Sequence, residues 1–446
     1  MSELQIAIVM AVFSAVILAI AFNVIDMAVA ALTGVCVLIV LGILDGQDIV
    51  DAGRTSGGPI GLLFGGMVVA RILATTGIFD LLGDFYLRAT GGSGKRFLLL
   101  LIALVAPVCA FLPNATAVIL LAPVIVRVAL ALEVDFVGPM ILTAIVSNSA
   151  GLLTLVGDPA TFLVGSSIGM TFGAYLHRVS LGGVMAIAIV VPLLRWLMPD
   201  VWHLQRTLPA RTAARRIERP VYTSLALAVL ATMVALFVFG EDLPTRIVPP
   251  AVALIASALA LLVGYAARIE PTDDVLRDVD WKTLVFLASI FCLVQAVVKT
   301  GLLQLMALGL YQAFGTELTL VALAMIGGIG VLSSLLANVP VAAASMVMVK
   351  GYLVAAEVVP ESALSAHFTQ WPAISIPVFV AMMFGATLGG NATLIGASAN
   401  IVAAGICARE DKQVTFAKFL RFGLPVTLCQ LAASALYVLL LARVMR

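Results

Sequence analysis

Charged residues are scarce in this 446-residue chain. They make up 11% of it, whereas hydrophobic residues make up 62%; soluble domains carry roughly 25% charged residues. The formal net charge is only +1, so the chain has no excess of basic residues for a nucleic-acid partner. This composition predicts an all-α polytopic membrane protein whose surroundings are the lipid bilayer.

Cysteine pairs are also missing. None of the five cysteines forms a CxxC motif, which excludes a disulfide framework and a thiolate metal site. The sequence shows no nucleotide-binding loop, metal-ligand cluster or nucleophile–base pair, so we expect no enzyme activity, no metal and no cofactor. Any dependence on ATP would need a separate soluble ATPase subunit. The cysteines are Cys36, Cys109, Cys292, Cys407 and Cys429.

Long apolar runs dominate what is present. A span needs about 20 apolar residues, and eight uninterrupted runs approach or exceed that length. They lie near residues 5–22, 26–44, 59–82, 179–199, 221–239, 247–267, 283–307 and 421–444.

Four further apolar segments are interrupted by polar residues. Two are predicted broken helices, 138–170 around Asp158 and 372–408 around residues 391–400. Pro159 removes a backbone donor and biases Asp158 away from helical angles, so the helix should break there. The other two, 97–131 and 318–357, have arms too short to span. We interpret them as re-entrant hairpins, the first hairpin and the second hairpin, with their tips at mid-membrane.

The two halves of the chain repeat these features. The separation between Asn114 and Asn338 at the hairpin tips equals the separation between Gly77 and Gly301. GLLTLVG at residues 151–157 matches GNATLIG at 390–396 with a slightly larger displacement. We therefore predict repeat 1 over 1–199, a basic linker over 200–220 and repeat 2 over 221–446. Each repeat has five crossings, one of them a broken helix, plus one hairpin. Because five is odd, the repeats should have inverted topology, with the site at the midplane.

Basic residues predict the orientation in the cell membrane. The segment 195–219 holds six arginines, and cytoplasmic loops are enriched in Lys and Arg. Placing that segment inside puts 16 of the 25 basic residues on the cytoplasmic side, 5 outside and 4 within spans. Both termini are then predicted outside. The first hairpin enters from the cytoplasm and the second from outside.

Polar residues at mid-membrane depth are the candidate site. The amides of Asn114 and Asn338 offer both donors and acceptors to a substrate, although Asn also favours turns. Asp158 is the acid placed nearest the centre of a span, where a carboxyl group can exchange a proton; it also suits a helix cap. Thr154 and Thr393 either contact substrate or join packed helices.

Several motifs resemble those of the ion transporter superfamily, in the branch that holds arsenite/antimonite efflux permeases, the melanosomal P protein and sodium/proton antiporters. Citrate and dicarboxylate carriers are more distant relatives. The resemblance implies a homodimer in which a hairpin-containing transport domain slides as an elevator against a fixed scaffold. It also implies a site lined by Asn114, Thr116, Asn338, Asp158, Asn391, Thr393, Ser398 and Asn400. The motifs are GLLFGGM at 61–67, TGIF at 76–79, GDP at 157–159 and LGGNATLIGASAN at 388–400.

The chain departs from the pattern of these relatives where carboxylates are concerned. Relatives often carry Asp before each tip asparagine, where this chain has Pro113 and Ala337. They also commonly show Pro-Asn after GDP, where this chain has Ala160 and Thr161. These departures weaken the case for cation exchange.

We therefore predict a secondary active transporter, with proton-coupled efflux of arsenite, antimonite or a similar small oxyacid. The alternative functions are a sodium/proton antiporter and an organic-anion carrier of the citrate or dicarboxylate type. For the predicted transporter, Na+ is the alternative to H+ as the coupling ion. The predicted substrate-binding residues are Asn114, Thr116, Asn148, Thr154, Asn338, Asn391, Thr393, Ser398 and Asn400. The predicted ion-coupling residues are Gly157, Asp158, Thr161 and Gly396.

Overall fold

The computed structural model describes residues 3–21, 24–207, 218–364, 368 and 370–445, and within these ranges it is built from helices. Of the described helices, ten are long and apolar enough to cross a membrane. Three of them are arms of the predicted hairpins, Asn114–Ala131, Leu318–Leu335 and Asn338–Ala355, so the prediction that these arms are too short to span is wrong on length alone. The middle of the predicted linker, with Arg211, Arg215 and Arg216, lies outside the described residues. So do residues 365–367 and 369 of the loop before the second broken helix.

The first half begins with two helices that precede the repeat motifs, and then follows the order predicted from the sequence. Its helices are Glu3–Ala21, Met27–Val40, Gly46–Ala74, Ile78–Thr90, Gly94–Cys109, Asn114–Ala131, Val137–Ala150, Pro159–Ser167 and a final apolar helix over Phe172–Leu197, which contains one π-helical turn.

The second half has helices in a similar order, with one additional short helix, Thr272–Arg277. Its helices are Pro220–Phe239, Pro249–Ala267, Thr272–Arg277, Trp281–Lys299, Leu302–Phe314, Leu318–Leu335, Asn338–Ala355, Ile376–Gly389, Ser398–Arg409 and Phe416–Val444.

Two of the predicted spans extend too far at their C-terminal ends, and these predictions are wrong there. The run over 59–82 ends as a helix at Ala74, and the run over 283–307 ends at Lys299. In each case a glycine in the left-handed region follows, Gly77 with φ 75° and Gly301 with φ 77°. Glycine adopts this conformation without the steric cost of a Cβ. A separate 13-residue helix follows each glycine. It packs on the second arm of the hairpin in its own half, Asn114–Ala131 or Asn338–Ala355.

Each hairpin turns within a few residues. The arms of the first hairpin are Gly94–Cys109 and Asn114–Ala131, and those of the second are Leu318–Leu335 and Asn338–Ala355. Each tip asparagine is thus the first residue of the second arm. Its side chain extends beyond the helix end, where the first backbone N–H groups have no partner within the helix.

The broken helices share one geometry. We call residues 151–158 the first break and residues 390–397 the second break. The last residue of each is extended, with φ −142° and ψ 139° at Asp158 and φ −143° and ψ 147° at Ala397. Pro159 then takes the first helical position, where its missing N–H is not needed. Such non-helical backbone is tolerated at membrane depth only where protein or a water-filled cavity surrounds it.

Candidate functional site

The hairpin tips and the breaks surround one cavity of about 370 Å³. One wall is apolar, from residues such as Ile17, Leu63 and Phe286, and Met27, Asp280 and Thr283 lie towards the helix ends at its mouth. The polar end brings together five predicted site residues: Asn114, Asn148, Asp158, Asn338 and Ser398.

Asn148 is at the centre of this polar end. Its Nδ2 donates to the Thr387 carbonyl oxygen at 2.7 Å and to Asn391 Oδ1 at 2.9 Å. Its Oδ1 accepts from Asn338 Nδ2 at 2.9 Å. Turning the Asn338 amide over would instead point its nitrogen at the carbonyls of Ala386 and Gly396. That would set the Asn338 oxygen against Asn148 Oδ1, whereas the arrangement described sets it against the Ala386 and Gly396 carbonyl oxygens. In both arrangements the Asn338 amide lies between Asn148 and these two carbonyl groups.

Asn391 holds the Asn148 amide on the side away from the cavity. It is fully buried, outside the cavity lining, and its Nδ2 donates to Ser149 Oγ and to Gln430 Oε1 at 2.9 and 2.8 Å. Gln430 Nε2 in turn donates to Ser149 Oγ and to the Ala186 carbonyl. Buried polar groups joined in this way hold one arrangement, because each loses free energy if its partner moves away.

Two of the four predicted threonines, Thr154 and Thr393, make similar hydrogen bonds in the two halves. Thr154 Oγ1 donates to the Ala110 carbonyl at the end of the first arm of the first hairpin. Thr393 Oγ1 donates to the carbonyl of Ser334, the residue that stands at the equivalent position in the second hairpin. Each break is thereby joined to the hairpin of its own half. Neither threonine lines the cavity.

Two oxygen atoms near the first break, Asn114 Oδ1 and Asp158 Oδ2, are buried and have no hydrogen-bond partner among the described residues. Thr161 is buried as well, and its hydroxyl lies beside that of Tyr175. Asn114 and Asp158 both lie next to Gly151. A Cβ added to Gly151 would be 2.8 Å from the Asp158 Cβ and 3.4 Å from Asn114 Nδ2, so the tip amide lies near the Asp158 side chain. A buried acceptor without a donor is costly, so this group of oxygens suits a proton, a cation or a donor from a substrate.

The second break is closed differently. Asn400 is fully buried, and its Nδ2 donates to the carbonyl oxygens of Gly390 and Thr393, each at 2.8 Å. Asn400 Oδ1 and Thr387 Oγ1 have no partner among the described residues, but Ala397 stands where the first break has Asp158. The second break therefore has no carboxylate.

The other predicted residues lie around the site. Gly157 and Gly396 allow close passage of the backbone, because a Cβ would come within 2.9 Å of the Gly151 carbonyl oxygen and 2.6 Å of the Gly390 carbonyl oxygen, respectively. Thr116 is half-buried and is not part of the cavity lining.

Sequence reasoning missed three residues. Gln430 completes the amide network from the last helix, and Asp280 lies at the cavity mouth. The hydroxyl of Tyr175, fully buried, donates to the Leu152 carbonyl in the first break at 3.0 Å. A lone Gln within an apolar 29-residue helix is the signal that could have pointed to Gln430. Nothing in the local sequence distinguishes Tyr175 from other aromatic residues.

The described residues that line the cavity include acidic side chains and no basic ones. Asp158 and Asp280 line it, and none of the lining residues that the structure describes is Lys, Arg or His. Of the four basic residues within the predicted spans, Arg71 pairs with Glu270 and Arg127 with Asp84, both at 2.5 Å. Lys299 pairs with Asp48 at 2.6 Å, and the Lys350 ammonium lies over the Trp371 ring. The described residues also contain no cluster of His, Cys, Asp or Glu suited to a metal.

Comparison with known proteins decides the family. The model of the citrate transporter family, CitMHS, matches residues 16–367. The chain belongs to this family. It is accordingly a secondary membrane transporter and not an enzyme, and the predictions of an all-helical multi-pass membrane protein and of a transporter are confirmed.

Individual relatives agree with this assignment. The chain is 40% identical over 428 residues to an uncharacterized transporter of Synechocystis, covering 96% of this chain and 95% of the relative. It is 27% identical over 457 residues to the human P protein, covering 85% of this chain and 53% of that one.

Among solved structures, the YdaH transporter of Alcanivorax borkumensis has the same fold. Its TM-score is 0.59 at 14% identity, and the match covers 90% of this chain and 89% of YdaH. Sequence identity this low shows the fold alone.

Proposed function

We propose that this member of the family exports a small uncharged oxyacid with several hydroxyl groups, such as arsenous or antimonous acid, in exchange for protons. The observation that supports the proposal is the polar end of the cavity. It offers three carboxamides, one hydroxyl and one carboxylate, and no basic side chain among the described lining residues. A neutral triol needs donors and acceptors of this kind and no fixed countercharge.

The cavity has room for such a solute together with water. Its volume of about 370 Å³ compares with about 30 Å³ for one water in the liquid. The solute binds at the polar end between the hairpin tips, and the apolar wall forms the route in. Asp158, the one carboxylate at that end, carries the proton.

Sodium/proton exchange is the second candidate function. The partnerless oxygens of Asn114 and Asp158, which both line the cavity, favour it, because Na+, like other hard cations, takes oxygen ligands. A free tricarboxylate such as citrate, which the family description names, has less support. It would meet the Asp158 carboxylate with no described basic group in the lining.

The proposal includes inverted repeats, and equivalent backbone positions support them. Glu133 and Glu357 end the two hairpins with φ 56° and 55°, and they are separated in the sequence by the same interval as the tip asparagines. The helices that lead into the breaks, Val137–Ala150 and Ile376–Gly389, both have 14 residues.

Ion pairs support the proposed orientation. Arg206 with Glu133 and Lys412 with Asp135 each join two loops assigned to the cytoplasmic side. Burial alone would raise the pKa of the Asp135 carboxyl, but the hydrogen bonds from Lys412 and the Val137 backbone N–H, together with the charges of Lys412 and Lys418, lower it. Lys299 pairs at the opposite face with Asp45. The cavity mouth at Asp280 then faces the cytoplasm, the side from which an exporter loads. A homodimer, an elevator movement and a separate ATPase subunit stay predictions.

Transport into inverted vesicles tests the proposal. With the purified protein in vesicles whose interior is acidic, we expect arsenite to accumulate inside and accumulation to stop when the pH gradient is collapsed. Sodium and citrate are offered in parallel under the same gradient. Accumulation of sodium alone would replace the proposal with sodium/proton exchange, and accumulation of citrate alone would overturn both.

A further inference from the structure

The two breaks have the same backbone but different contents. Thr161 and Asn400 are the third residues after Asp158 and Ala397, respectively, and both side chains are fully buried. The matched dihedral angles of Asp158 and Ala397 place both side chains at the same point of an equivalent structure.

In the second break an amide group occupies the space between carbonyl oxygens. Asn400 Nδ2 is 2.8 Å from both the Gly390 and the Thr393 carbonyl oxygens. These two N–H groups provide what a small cation would provide at that point, a positive partner shared between oxygens. The carbonyl oxygens are therefore satisfied without any ion.

In the first break the corresponding residue supplies no such donor. Thr161 carries no amide to place between the equivalent oxygens, and its hydroxyl lies beside the Tyr175 hydroxyl. Asp158 Oδ2 and Asn114 Oδ1 have no partner among the described residues. The first break thus combines the Asp158 carboxylate with the Asn114 amide oxygen. The second break combines Ala397 with the Asn400 amide, and among the described residues its own partnerless oxygens, Asn400 Oδ1 and Thr387 Oγ1, are accompanied by no carboxylate.

We infer that Asn400 is a permanent substitute for a coupling ion in the second break, and that one coupling ion, bound at the first break, serves each transport cycle. The inference rests on the proposed coupling through Asp158 and adds its stoichiometry. Asn400 acts as a specificity-determining residue, since it excludes a second ion from a position whose backbone resembles the first.

The coupling ratio of the unaltered protein is the primary test. In vesicles with a fixed pH gradient, or a fixed sodium gradient, the substrate gradient at which net flux reverses gives the number of ions per substrate. We expect one, and we expect Asp158→Asn to reduce it to zero. A ratio of two that falls to one in Asp158→Asn would overturn the inference while leaving the proposed function standing. A ratio of zero in the unaltered protein would overturn the proposed coupling and the inference with it.

Exchanging the two residues gives a second, independent test. Asn400→Asp keeps the shape of the side chain, replaces the two N–H donors by a carboxylate oxygen, and should admit a second ion. The variant's melting temperature should then rise with sodium concentration or fall with increasing pH more steeply than that of the parent, because a ligand that binds only the folded state stabilises it. Thr161→Asn places an amide in the first break and should remove the ion dependence of the parent.

These variants distinguish a role of Asn400 as an ion substitute from a purely structural role at the helix end. If Asn400 only held the helix end, Asn400→Asp would lower the melting temperature by the same amount at every sodium concentration and pH. That result, or a coupling ratio of one in a transport-active Asn400→Asp, would overturn the inference. The ratio of the unaltered protein decides the matter if Asn400→Asp does not fold.

Discussion

Asn148 and Thr387 are hydrogen-bonded to each other, and their separation in the sequence equals the displacement between the GLLTLVG and GNATLIG motifs. The Asn148 amide nitrogen donates to the Thr387 carbonyl oxygen at 2.7 Å across a separation of 239 residues. The helices that lead into the breaks therefore meet at this point, and Asn148 there lines the cavity. An amide at this contact joins the halves and also presents its oxygen to the tip of the second hairpin.

Asn148→Ala should stop transport while the protein still reaches the membrane. The change leaves the Asn338 amide and the Asn391 oxygen without partners, at about 1–3 kcal/mol for each buried polar group. We expect transport to fall at least about tenfold, the equivalent of about 1.4 kcal/mol. Initial uptake rates, normalised to the amount of folded protein, measure the effect.

Ser224→Ala is the control for this experiment. Ser224 is exposed on the helix Pro220–Phe239 and bonds only to the Val221 carbonyl of its own helix. It should transport at the rate of the parent. Equal rates for Asn148→Ala and Ser224→Ala would contradict the placement of Asn148 in the site.

Gly390→Ala should disturb the tip of the second hairpin. A Cβ at this position would lie 2.4 Å from Asn338 Oδ1 and 2.8 Å from the Gly396 carbonyl oxygen, so the tip must move. Gly405→Ala is the matched control, because a Cβ there has no heavy atom within 4 Å. We expect substrate affinity, measured by isothermal titration, to drop at least tenfold in the first variant only, about 1.4 kcal/mol. Unchanged affinity in Gly390→Ala would show that Asn338 does not contact the substrate.

Labelling of single cysteines tests the inverted orientation. Glu133→Cys and Glu357→Cys place exposed thiols at equivalent ends of the two hairpins, in a chain freed of its five native cysteines. A membrane-impermeant maleimide should label position 357 in right-side-out vesicles and position 133 in inverted ones. Labelling of both from the same side would exclude inverted repeats.

The sequence was informative wherever polar residues interrupt apolar runs. Asn114, Asn338 and Asp158 stand out because hydrocarbon penalises them, and all three line the cavity. The equal spacing of matched positions in the two halves could be read directly from such residues. Residues whose role depends on a distant partner could not be found in this way. Tyr175, for example, reaches the first break from another helix.

The helix ends at Gly77 and Gly301 show a second limit. Hydropathy continues across both glycines, so the apolar runs predicted uninterrupted spans, whereas the backbone turns at each of them. A left-handed glycine changes the direction of the chain without changing its hydropathy.

Paired flux measurements on Asp158→Asn test the central claim most directly. The variant keeps the shape of the side chain but cannot ionise. We expect it to lose gradient-driven accumulation in inverted vesicles and to retain exchange of labelled substrate at zero gradient, since the neutral form still permits the transport movement. If Asp158→Asn accumulates substrate against a gradient as well as the parent does, over the same pH range, then Asp158 is only a helix-terminal residue and the coupling lies elsewhere.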